Sequence, residues 1–157
     1  MPIEIERKFL LSSREWEAGV IRVDVFRDGL LARFAGGKVR IRQSADRAWI
    51  TVKGLRVGLR RAEYEYEVPP EEAEEMLALC DGPLIEKHRH LVAHAGVTWA
   101  VDVHFGLLAG IEFAEVELEH PQQELSLPSW VGREVTNDPR YSKRNLIQLR
   151  EGTVDSA

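Results

Sequence analysis

From residue 3 to residue 119 the chain returns again and again to one pattern, in which apolar and charged residues alternate and the charges of each stretch share one parity. A period of two belongs to the β-strand, where residues i and i+2 stand on the same side. Glu4, Glu6 and Lys8 alternate with Ile3, Ile5 and Phe9, and Arg40 and Arg42 with Val39 and Ile41. Lys53 stands with Thr51 against Ile50 and Val52, and Arg61, Glu63, Glu65 and Glu67 alternate with Ala62, Tyr64, Tyr66 and Val68. Lys87 and Arg89 share a parity, Asp102 falls between Val101 and Val103, and Glu115, Glu117 and Glu119 alternate with Ala114, Val116 and Leu118. The fold must therefore be mainly β, with one apolar sheet face and one charged face.

The alternation predicts eight strands, roughly 2–11, 21–28, 38–44, 48–54, 60–68, 84–94, 97–104 and 111–119. Hairpin turns are expected at Gly36-Gly37, Ala45-Asp46-Arg47 and Ala95-Gly96, so neighbouring strands should run antiparallel. Three stretches read as helices: Arg14 to Gly19 after Ser12-Ser13, Pro70 to Cys80 with Ala73, Met76, Leu77 and Cys80 on one side, and a last helix opened by Asp138-Pro139 with Leu146, Ile147 and Leu149 as its apolar positions. At 157 residues, 44% hydrophobic, the chain suits one domain over 1–150, with 151–157 a flexible tail. The net charge of −5 argues against a general binder of nucleic acid or anionic membrane. A single cysteine, Cys80, excludes an intrachain disulfide. With no secretory signal pattern and no apolar run of membrane-spanning length, a cytoplasmic protein is expected.

Among the alternating positions, seven acids (Glu4, Glu6, Glu63, Glu65, Asp102, Glu115, Glu117) meet seven bases (Lys8, Arg40, Arg42, Lys53, Arg61, Lys87, Arg89). An antiparallel sheet with one solvated face accounts for any one strand. A closed barrel with the charges inside accounts for all of them together. Parity does not choose between the two. Carboxylates without thiols are hard oxygen ligands suited to Mg²⁺ or Mn²⁺, and arginines with lysines suit a polyanion. Other nucleotide devices are missing: no phosphate-binding glycine loop of either common type occurs. His88, His90 and His94 have the parity opposite to Lys87 and Arg89 and would point away from the charged face. No serine sits in a nucleophile elbow, Cys80 reads as a packing residue, and the four tryptophans read as core rather than as a stacking platform.

The ordered series of motifs resembles the CYTH or triphosphate tunnel metalloenzyme family. Glu4-Ile5-Glu6-Arg7-Lys8 is similar to its Glu-x-Glu-x-Lys signature. Val39-Arg40-Ile41-Arg42, Thr51-Val52-Lys53-Gly54, Arg61-Ala62-Glu63-Tyr64-Glu65, Glu86-Lys87-His88-Arg89, Val101-Asp102-Val103 and Ala114-Glu115-Val116-Glu117 follow in order. Trp130 to Thr136, with Arg140-Tyr141 after it, looks like the ending of the compact bacterial members. The resemblance implies a closed eight-stranded antiparallel tunnel with about three helices outside it or at one end. It implies that Lys8, Arg40, Arg42, Lys53, Arg61, Lys87 and Arg89 grip a small-molecule triphosphate. Glu4, Glu6, Glu63, Glu65, Asp102, Glu115 and Glu117 would hold one or two divalent cations, Mg²⁺ or Mn²⁺. One ion would orient the phosphate chain and a second would position and acidify a water. Lys87, Glu115 and Glu117 are the candidate catalytic residues, with Lys87 handling the water.

Inorganic triphosphate hydrolysis is the leading expectation. A class IV adenylyl cyclase, a thiamine or nucleoside triphosphatase, and a non-catalytic polyphosphate or nucleotide sensor are the alternatives. The resemblance leaves open whether the protein works as one copy or as a homodimer. Two segments depart from the family: Ser142-Lys143-Arg144-Asn145 adds cations after the tyrosine, and Arg22 to Asp28 lacks the familiar wording and is assigned no ligand.

Overall fold

The structure is a computed structural model describing residues 2–155. Its sheet closes on the first strand. β1 (Ile3–Leu11) pairs with β5 (Arg60–Val68) through Ile3 to Ile5, and with β8 (Glu112–Glu117) through Glu6 to Phe9. Between those two partners run β4 (Ala48–Lys53), β3 (Gly37–Gln43), β2 (Val20–Phe34), β6 (Ile85–His94) and β7 (Val97–Phe105), every pair antiparallel. Eight strands thus form a ring, which is the closed alternative that parity left open. A short β9 (Val131–Glu134) continues along β1 beyond β5, with Glu134 and Ala114 both facing Phe9 from opposite edges.

Closure places the apolar residues outside. Ile5, Phe9, Trp99, Val101, Ala114 and Val116 cluster on the outer wall beneath Trp16, Leu118 and Trp130. Trp16 comes from a 3-10 turn, Glu15–Gly19. A second cluster joins Ile41 and Ala48 to Ala73 and Leu77 of helix α1 (Pro70–Ala78). Proline in the first turn and the acids Glu71 and Glu72 suit that helix end. Burial of a side chain such as Leu77 contributes about 1.5–3 kcal/mol. Gly29 allows the close approach: a Cβ there would lie 2.7 Å from Cys80 Sγ and 2.9 Å from Leu77 Cδ2. His90 packs on Trp16 and His88 on Phe105, away from the charged interior as their parity requires.

Several local expectations are corrected. β2 runs on to Phe34, because Gly29 only relieves crowding beneath α1 and does not end the strand. The next turn uses Ala35 (φ 36°) and Gly36 (φ 81°), so Gly37 opens β3 instead of turning. Ser12-Ser13 leads into a 3-10 turn and not an α-helix. Asp138 accepts from the Arg140 N–H and caps a separate 3-10 turn, Pro139–Tyr141. The last helix, α2 (Lys143–Asp155), begins after Ser142, whose Oγ accepts the Asn145 N–H, and it runs through residues 151–155 that were expected as tail. Among the described residues no helix is long and apolar enough to cross a membrane.

Candidate active site

Strand pleating carries the alternate charges of every wall into one tunnel, which widens into two chambers of about 700 and 560 Å³. Glu6, Arg40 and Lys53 line both and mark the waist. Lys8, Arg61, Lys87 and Glu115 face the larger chamber, and Glu4, Arg42, Glu63, Glu65, Arg89 and Glu117 face the smaller. Of the fourteen residues singled out in the sequence, only Asp102 lines neither chamber. It lies sealed in the wall, where Lys87 Nζ donates to Oδ2 at 2.8 Å and Arg89 donates to both oxygens at 2.8 and 2.9 Å. Burial alone would raise its pKa, but Lys87 and Arg89 outweigh burial and hold it well below the ordinary range. Asp102 is the counter-ion that aims Lys87 and Arg89.

The cations differ in how far their charge is already answered. Arg42 is clamped by Asp28 through two bonds of 2.9 Å and lies over the Phe26 ring. Lys53 meets Glu4 at 3.1 Å and Glu63 at 3.2 Å. By contrast, among the described residues the Lys8 ammonium hydrogen-bonds only the Tyr141 carbonyl, lying over the Phe113 ring, and the Arg61 guanidinium only the Gly54 carbonyl. Arg40 Nε is buried without a partner among the described residues, and the nearest acid, Glu65, stands 4.0 Å from Nη2. Buried donors left open in this way are costly unless an anion fills them. Lys87 is also buried, and desolvation brings its pKa down in spite of Asp102.

The acids carry the complementary signal. Glu6 and Glu117 sit opposite one another on β1 and β8. Burial, then Glu115 and Glu4, push Glu6 up to about 8, while burial and Glu4 raise Glu117. Glu63 is raised by burial and by its hydrogen bond to Glu4. Glu4 itself is drawn down to about 2, because Lys53 and Arg56 outweigh burial. In Glu115 burial and Asp102 are overcome by Arg89, Lys87 and Lys8, so its pKa falls. Glu6 and Glu117 form no ion pair among the described residues, while Glu63 shares Lys53 with Glu4; as hard oxygen donors these carboxylates fit a divalent cation. No three acidic, histidine or cysteine side chains among the described residues are already gathered at coordination distance.

Sequence reasoning missed several members. Asp28, assigned no ligand, lines the larger chamber and forms a nearly sealed ion pair with Arg42, which faces the smaller one. Arg56 bonds Glu4 at 3.0 Å from a loop that has no periodicity to read. Lys38, which shares the parity of Arg40, and Lys143 of α2 both line the larger chamber.

The model of the CYTH domain matches residues 2–148. The chain belongs to the CYTH family. Among curated CYTH relatives, an inorganic triphosphatase of Acetivibrio thermocellus is 40% identical over 146 residues, covering 92% of this chain and 93% of its own. Another inorganic triphosphatase, from Nitrosomonas europaea, is 32% identical over 147 residues, covering 91% and 95%. A solved inorganic triphosphatase structure superposes with a TM-score of 0.66 at 30% identity, over 92% of this CYTH chain and 97% of that one.

Proposed function

We propose that the protein hydrolyses inorganic triphosphate to pyrophosphate and phosphate, using Mg²⁺ or Mn²⁺. The observation that carries this reading is the waist, where Arg40 has a buried donor unpartnered among the described residues beside Glu6, a carboxyl raised by burial and by its acidic neighbours Glu115 and Glu4. Two relatives named inorganic triphosphatase, each matched over more than nine-tenths of its length, support the substrate.

Lys8, Arg40, Arg42, Lys53, Arg61, Lys87 and Arg89 would hold the phosphate oxygens, the arginines through two-pronged contacts. Glu6, Glu117, Glu4, Glu63, Glu65 and Glu115 would hold one or two cations, with Asp102 acting from behind. When bound, such a cation would supply Lewis-acid stabilisation of the charge that builds on the leaving pyrophosphate. The side chains keep the phosphate chain straight and partly dry, which is most of what phosphoryl transfer needs. Water oxygen bonds to the terminal phosphorus as the bridging P–O bond breaks, and pyrophosphate leaves with the electron pair. Lys87, aimed by Asp102, would orient the attacking water, and the water's proton would pass to a carboxylate facing the same chamber, Glu115.

A phosphate-release panel of triphosphate, ATP and thiamine triphosphate with Mg²⁺, Mn²⁺ or chelator tests this. Triphosphate should be turned over far faster than ATP, and chelator should abolish it. Glu117→Gln and Lys87→Ala should each lower kcat by about 10²-fold or more. Cyclic nucleotide formed from ATP, or tight triphosphate binding with no turnover under either metal, would overturn the proposal.

A further inference from the structure

The ring leaves part of one strand edge open. β5 meets β1 only through residues 60–62, and Glu63 adds one more backbone bond, its N–H donating to the Pro2 carbonyl at 3.1 Å. On its other side β5 stays in unbroken register with β4 as far as Val68, opposite Ala48. Successive residues of an antiparallel strand point their backbone groups to alternate sides. Because the Glu63 N–H points toward β1, the N–H and C=O of Glu65 and Glu67 point the same way. Among the described residues no backbone meets them there.

The side chains of this edge differ sharply between its two faces. On the outer face Tyr64 and Tyr66 stay 38% and 61% exposed, although α1 packs against Val68 two residues on. On the inner face Glu65 and Glu67 are about half exposed, at the lip of the smaller chamber that Glu65 lines. From residue 63 to residue 75 the chain has seven acids and no base. Arg47 answers Glu67 and Arg27 answers Glu74, while Glu71, Glu72 and Glu75 are exposed with no ion pair among the described residues.

Free edges in natural sheets are guarded by lysine, proline, a bulge or a covering loop. Residues 64–68 have none of these among the described residues. The acids exclude one occupant, a second copy of the same edge. Any two-fold pairing that keeps the faces aligned sets acid against acid, as Glu65 against Glu67 about Tyr66, and like charges directly opposite destabilise a sheet. A strand of opposite charge is favoured for the same reason.

We propose that residues 64–68 of β5 are a docking edge for an extended segment of another protein in which basic and apolar residues alternate. Added antiparallel, in line with β1, the segment takes up the backbone groups of Glu65 and Glu67. Its basic side chains then stand opposite those two acids, and its apolar ones lie beside Tyr64 and Tyr66. This does not depend on which phosphate compound the tunnel accepts.

The test titrates the full chain into a fluorescein-labelled peptide, Lys-Val-Lys-Val-Lys, and reads anisotropy. A Kd of about 10–100 μM is expected, weakening as salt rises. The acidic counterpart Glu-Val-Glu-Val-Glu should bind at least about tenfold more weakly. N-methylation of the lysine amides, which face Glu65 and Glu67, should also cost about tenfold, whereas N-methylation of the valine amides, which face solvent, should cost less than about threefold. Glu67→Lys, a surface change, should weaken the lysine peptide about fivefold and leave triphosphate turnover within about twofold. Equal loss from both methylations, equal binding of the acidic peptide, or no binding at about 1 mM would overturn the docking edge. Displacement by one equivalent of triphosphate would put the peptide in the tunnel. A dimer in sedimentation that Glu67→Lys alters and the peptide cannot enter would give the edge to a second copy. Either result refutes the proposal, and none of these outcomes bears on hydrolysis.

Discussion

Replacing Glu6 by glutamine keeps the side chain's shape and removes its ability to ionise, and the structure predicts when that change is felt. Glu6 is carried to about 8 from the ordinary 4.5 by burial and by Glu115 and Glu4. Folded protein therefore holds a proton on Glu6 between those two pH values that the unfolded chain has released. A raised acid contributes its full stability below the unfolded value and loses it as pH rises through the folded one. At about 1.4 kcal/mol per pH unit the whole interval is worth on the order of 5 kcal/mol. Glu6 lines the open waist between the two chambers, where solvent screening is expected, so roughly half, about 2–3 kcal/mol, is the expected size. In chelator at pH 5, wild type and Glu6→Gln should melt together. At pH 8 the variant should melt about 5–10 °C higher, given about 2–4 °C per kcal/mol in a chain of this size. Taking the difference between the two proteins removes groups that shift the other way, such as Lys38 and His104. Adding Mg²⁺ should cancel or reverse the variant's advantage, because only wild type offers the carboxylate. A variant equal to or less stable than wild type at pH 8 in chelator would refute the account of Glu6.

Asp28→Ala strips the buried Arg42 of its counter-ion and should cost about 3–5 kcal/mol, read as a fall in urea midpoint at unchanged slope. Gly29→Ala forces a Cβ against Cys80 and Leu77 and should cost about 1–3 kcal/mol by the same assay, with little effect on triphosphate turnover. Asp28 and Asp102 are held well below the ordinary range, so their contribution is complete above about pH 4 and is lost only as pH falls through those depressed values. Circular dichroism on acid titration should accordingly show native structure persisting below pH 4 in wild type, and Asp28→Ala should bring the transition to higher pH.

The tunnel was legible because pleating converts parity directly into facing, and the charges kept strict parity on every wall. Glu4 and Glu6, or Arg40 and Arg42, could not reach one side of β1 or β3 without their neighbours reaching the other. Closure was not legible from parity, since it depends on β1 finding β5 and β8 at once. Lys38 and Asp28 carried the right parity and could have been included: Lys38 stands two before Arg40, and Asp28 directly opposite Arg42. Arg56 and Lys143 gave no such signal, one in a loop and the other on a helix whose return to the mouth is decided by tertiary contacts. β9 was missed because Val131-Gly132-Arg133-Glu134 is too short and too polar to show a period. Asp102 had the parity of a chamber residue, yet its charge is consumed within the wall, which depends on the reach of two neighbouring side chains.

β1 is the first strand made and the last to be satisfied. Its partners lie in residues 60–62, 114–117 and 131–134, so the Ile3–Ile5 end can pair once β5 is made, while Glu6 to Leu11 stay bare until residues 114–134 follow. The lumen cannot exist before then, and a partly made chain has the tunnel charges dispersed along open strands. Such late, distant pairing makes folding slow and leaves sheet edges at risk of pairing with other chains meanwhile.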